Sequence, residues 1–124
     1  MNIITLINTA RIFERFAQTK LPSKIAYKIM KFCKSVAVEE EFYETKRNEI
    51  IDAYAVKDES GQVTVSDNGM ITIMPGKIDE ANTALQELNG IEVEAPNIKF
   101  TLDELEGLEL SVADMFALDA FIEE

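Results

Sequence analysis

The sequence contains no histidine and only one cysteine, Cys33, in 124 residues. Lack of histidine removes the commonest general base, histidine-dependent triads and two-histidine zinc sites. A single cysteine permits neither an internal disulfide nor a cysteine-rich zinc site. Cys33 lies in an apolar helical setting, KFCKSV, where a free cysteine is expected to pack; Lys31 and Lys34 are near enough in sequence to lower a thiol pKa. Residues 69–77, GMITIMPGK, come nearest to a phosphate-binding loop, but six residues separate the glycines instead of four, and Ile78 stands where Ser or Thr would bind magnesium. No apolar run approaches the roughly 20 residues of a membrane span. The N-terminus lacks a basic region, apolar core and cleavage site in series, so a soluble intracellular protein is expected. Carboxylates are left as the only abundant chemistry. Twenty-three of them on so small a surface are expected to be solvated charge, and no spacing matches a calcium loop. The expectation is a protein that is not an enzyme, with no metal and no cofactor.

What is there begins with charge. Residues 1–34 carry seven bases and one acid, a balance of +6, whereas residues 35–124 carry a balance of −17. Residues 101–124 hold eight acids and no base. The basic part can dock on the chain's own acidic part or stay solvated. Alternatively, Lys20, Lys24, Lys28, Lys31 and Lys34, which repeat along one helical face, contact nucleic acid or an acidic partner. Nucleic acid is disfavoured by a net charge of −11. As a further use, the acidic region, with Asp103, Glu104, Glu106 and Glu109, imitates a phosphate backbone and occupies a basic groove on another protein.

The stretch from Pro22 to Val56 reads as one long helix, with no glycine and no proline after its first residue. At 1.5 Å per residue it would reach on the order of 50 Å, so part of it should project or pack against another copy. Ile25, Ile29, Phe32, Val36, Tyr43, Ile50 and Tyr54 form a stripe, interrupted at Glu39 and Lys46, which argues against a strict coiled coil. A preceding amphipathic helix from Leu6 to about Gln18–Lys20, after a short strand at Asn2–Thr5, would cover the N-terminal half of that stripe. Its Phe13 and Phe16 would lie on Ile25, Ile29 and Phe32. Val36, Val38 and Tyr43 are then the candidate partner-facing residues of the long helix.

Beyond it, VTV and MITIM flank Asn68-Gly69, a hairpin signal that relies on positive φ at both turn residues, and Pro75-Gly76 closes the segment. Ile78–Leu88 reads as a helix stopped by Gly90. Ile91/Val93 and Ile98/Phe100 suggest two short strands split by Pro96. Thr101 and Ser111 are placed to cap short helices, and Val112, Met115, Phe116, Leu118 and Phe121 should cover the hairpin and the long helix. The expected fold is a single α+β domain over 1–124: a long antiparallel helical hairpin (1–56), then a small, mostly antiparallel β-sheet and short C-terminal helices (57–124).

The order LPSKIAYKIMKF, EEFYETKRNEIIDAY, KDESGQ and ALQELNGIEVEAPNIKFTLDELEGLELSVADMFALDAFIEE resembles a family of short uncharacterised proteins from tailed phages and prophages of Gram-positive bacteria. The likeness spans nearly the whole chain from about residue 6. It carries over no catalytic residue and implies action in the host bacterial cytoplasm or in the virion. The expected function is accordingly a non-enzymatic one, through protein–protein interaction, as a virion component or assembly factor for head or tail. The partner is then a phage structural or assembly protein, a host protein or a second copy, with no membrane involved. The alternative is an acidic inhibitor of a host nucleic-acid-binding defence or replication protein.

Overall fold

A computed structural model describes residues 1–123. The chain divides into two compact units, Met1–Glu40 with Glu92–Glu124, and Glu41–Ile91.

In the first unit, helix α1 runs over Ile3–Glu14. Asn2, in extended conformation, accepts a hydrogen bond from the Thr5 amide at 3.1 Å. This cap starts the helix three residues before Leu6 and displaces the strand expected at Asn2–Thr5. Asn2 keeps only one extended pairing, an antiparallel bridge to Glu92. Helix α2 spans Ser23–Tyr54, uninterrupted over 32 residues, and the division between units falls within it. Leu6, Ile7, Ala10 and Phe13 of α1 are buried, as are Ile25, Ile29, Phe32 and Val36 of α2, so the two helices form the expected hairpin. The Phe13 and Phe32 rings meet edge to face at 5.2 Å.

The C-terminal segment closes that pair. Strand β1, Phe100–Thr101, is followed by α4 (Leu102–Leu105), α5 (Val112–Leu118), a 3-10 turn (Asp119–Phe121) and β2 (Ile122–Glu123). Thr101 and Ser111 each cap a helix reciprocally with the acid three residues on, Glu104 and Asp114. Phe100 and Phe121 join the phenylalanines of α1 and α2, with ring centroids 4.7 Å (Phe13–Phe100) and 4.8 Å (Phe32–Phe121) apart.

The expected antiparallel sheet is overturned. The protein is mostly helical, 57%, and the sheet among the described residues is two-stranded and parallel, β1 with β2, pairing Phe100 with Ile122 and Thr101 with Glu123. Parallel strands need a crossover of a dozen or more residues, and α4 and α5 provide it. The strand expected at Ile91/Val93 reduces to the bridge at Glu92.

In the second unit, the VTV and MITIM runs do not build a ladder. Three short segments meet at single antiparallel bridges, Ala55 with Ile73, Lys57 with Val63, and Val65 with Ile71. Each segment pairs with both others, so no pair continues for two consecutive positions. Apart from buried Ala55, the bridged side chains are half-buried or exposed, too little burial to extend the pairing. Asn68 does not take positive φ; Gly69 alone does, at 81°, and its amide donates to the Ser66 carbonyl at 2.9 Å. The Ser66 hydroxyl donates to the Asn68 side chain, which holds the loop in this form. Pro75-Gly76 makes a type II turn, with Gly76 at φ 83° and the Lys77 amide donating to Met74 at 3.0 Å. Helix α3 follows as expected, over Ile78–Asn89.

Phe32 has no exposed surface and touches three rings. Phe32→Ala is expected to cost about 3–5 kcal/mol in denaturant unfolding, against a change within about 0.5 kcal/mol for exposed Phe116→Ala.

Candidate partner-binding surface

The residues nominated from sequence separate into three groups. Val36 and Tyr43 are core and not surface: Val36 is fully buried, and the Tyr43 hydroxyl donates to Asn89 Oδ1 at 2.6 Å. The apolar stripe of α2 is thus consumed by its own chain at these positions. Val38 alone of the three is exposed, at 71%. Among the acids, Asp103, Glu106 and Glu109 are exposed, whereas Glu104 accepts from Lys28 Nζ at 2.8 Å and from the Thr101 amide at 2.9 Å.

Glu104 shows how the opposed charges of the sequence are used. The Lys28 ammonium, with the Thr101 amide second, holds the Glu104 carboxyl below its ordinary value of 4.5. Asp114 is held low in the same manner, first by the Ser111 amide and then by Arg15, whose guanidinium lies 2.6 Å away. The basic helices therefore dock in part on the acidic segment. Lys28 also sits over the Phe100 ring, 5.2 Å from its centre. Its engagement breaks the proposed basic row, of which Lys20, Lys24, Lys31 and Lys34 stay exposed.

Cys33 behaves as a packed thiol. Burial, with Glu14 and Glu40 adding to it, pushes its pKa up to about 11, opposite to any lowering by Lys31 and Lys34. The Cys33 side chain lines a cavity of about 290 Å³ with Phe13, Phe16, Ile29 and Met30. No group of three or more Cys, Asp or Glu residues is placed to hold a metal ion among the described residues. No described helix is long and apolar enough to cross a membrane.

The surface that sequence reasoning missed is on the C-terminal segment. Phe116 is 79% exposed, Val112 74% and Leu102 59%. With Met115, Asp119 and Ile122 they line a groove of about 360 Å³. Val112, Met115, Phe116, Leu118 and Phe121 were all expected to cover other elements, but only Leu118 and Phe121 are fully buried. A signal existed. Val112 and Phe116 are four apart, Met115 and Leu118 three apart, so the seven-residue α5 carries apolar residues on two faces and can bury only one. Three large apolar side chains gathered around one concavity, with an acid in its lining, can seat an apolar side chain flanked by positive charge.

Comparison with protein-family models, curated proteins and solved structures finds no match for this chain.

A lowered carboxyl pKa contributes stability that is complete above its ordinary value and is lost as pH falls through the depressed folded value. Thermal midpoints of wild type and Glu104→Gln should therefore differ most above pH 4.5 and converge below it. At pH 8, Cys33 should react with a soluble alkylating reagent on the order of a hundredfold more slowly in the folded protein than in denaturant, as read by mass spectrometry.

Proposed function

We propose that this protein is non-enzymatic and works by binding other proteins through the groove of Leu102, Val112 and Phe116, as a phage or prophage virion component or assembly factor. The observation that carries the binding role is the groove itself. Exposing those side chains forgoes burial of about 1.5–3 kcal/mol each, a cost that partner binding would offset. The phage setting is drawn from the resemblance of the sequence alone, and with it the proposal of action in the host bacterial cytoplasm or the virion.

The alternative, an acidic inhibitor of a host nucleic-acid-binding protein, draws on the eight acids and no base of residues 101–124. It is the weaker reading, because Glu104 and Asp114 are already paired with Lys28 and Arg15. The most exposed large apolar side chain of the segment is also an aromatic one, Phe116, which a phosphate backbone has no counterpart for.

A photo-crosslinking amino acid placed at position 116 during phage growth distinguishes them. The expected product joins this protein to a phage structural or assembly protein, a second copy of this chain included, and disappears in Val112→Asp. A product with a host nucleic-acid-binding protein, lost on charge reversal at Asp103, Glu106 and Glu109, would transfer the conclusion to the inhibitor. No product above background would remove the groove as a binding surface.

A further inference from the structure

We infer that the occupant of the groove is a second copy of this chain, entering with the basic face of α2 around Tyr27, Met30, Lys31 and Lys34. The inference rests on the groove being a protein-binding surface and names its partner. Tyr27 and Met30 are exposed large side chains on α2, and with Lys31, Lys34 and Ser35 they line a shallow concavity of about 310 Å³. The Lys31 ammonium sits 5.6 Å from the centre of the Tyr27 ring, so charge and apolar surface are presented together. The groove offers the complement: exposed Phe116, Val112 and Leu102, Asp119 in the lining, and no base anywhere in residues 101–124.

Charge decides the geometry of pairing. Groove against groove would bring Asp119 up against acids, and basic face against basic face would oppose Lys31 and Lys34 to lysines; both symmetric arrangements set like charge on like. Basic face against groove sets opposite charge on opposite. The same pairing of basic helices with acidic segment already operates inside the chain, in Lys28–Glu104 and Arg15–Asp114. Lys31, Lys34, Asp103, Glu106, Glu109 and Asp119 make no ion pair among the described residues and are left for a neighbour. The two surfaces share no residue and belong to one unit, so one copy presents both at once. Contact of this head-to-tail kind propagates, giving a ring where the rotation closes and a filament where it does not. The net charge of −11 opposes approach at long range, but the Debye length of about 8 Å at physiological ionic strength confines that repulsion to near contact.

Two variants with exposed substitutions test the arrangement by light scattering at micromolar concentrations, with circular dichroism confirming that each is folded. Phe116→Asp blocks the groove, and Tyr27→Asp with Lys31→Glu blocks the basic face; Val112→Lys serves as a second groove variant. Wild type should exceed the monomer mass of 13.9 kDa, increasingly so with concentration. Each variant alone should be a monomer. Their mixture should give a one-to-one pair of twice the monomer mass and nothing larger, because one intact groove and one intact face remain. A monomeric wild type, a basic-face variant that still self-associates, or a mixture that does not pair would each overturn the inference. The crosslink at position 116 separates this failure from that of the groove. A monomeric wild type that crosslinks there to a different protein overturns self-pairing alone, and one that crosslinks to nothing overturns both.

Discussion

Four phenylalanine rings hold the first unit together. Phe13 comes from α1, Phe32 from α2, Phe100 from β1 and Phe121 from the turn before β2. They are distributed over nearly the whole chain, so their contact ties its beginning to its end. The rings are buried and meet in edge or tilted geometry, which adds about 0.5–1.5 kcal/mol per pair to the burial itself. Phe100 and Phe121 enter the same cluster from either end of a 20-residue excursion, and that fixes β1 beside β2 in parallel. Helices α4 and α5 must then span the gap from outside. With Leu105, Leu118 and Phe121 turned inward, Leu102, Val112 and Phe116 are left facing water. The candidate surface is thus a by-product of how the aromatic cluster is closed.

Electrostatics work on the same excursion. Thr101 and Ser111 start the two helices, and the acid three residues on completes each cap while accepting from a base of the helical hairpin. One carboxylate therefore serves a helix terminus and an ion pair together, which is why Glu104 and Asp114 are held low. Neither pair is deeply buried, so each contributes modestly to stability. Their larger effect is placement: they align α4 with α2 and α5 with α1, while Asp103, Glu106, Glu109 and Asp119 stay exposed.

The chain has no histidine, its one thiol has a raised pKa, and no cluster of metal ligands lies among its described residues. Two of its concavities differ in sign, one with Asp119, the other with Lys31 and Lys34. Opposite signs on distinct surfaces favour ordered, directional contact over random aggregation.

Local features were legible in the sequence by itself. It determined α2 and α3, the caps at Thr101 and Ser111, and the Pro75-Gly76 turn, because each depends on residues within a few positions of one another, and the helical hairpin, because a short connector joins two helices with apolar stripes. The stripe Ile25, Ile29, Phe32 and Val36 announced a buried face at helical spacing. Tertiary structure decided the rest. Whether VTV and MITIM form a ladder depends on what covers them, and where little does, only isolated bridges survive. The parallel pairing of Phe100 with Ile122 could not be read from two residues in each strand; it follows from the meeting of four distant rings. The exposure of Phe116 beside buried Leu118 was undetermined for the same reason. A two-faced apolar helix states that one face will be buried, and only its neighbours select which.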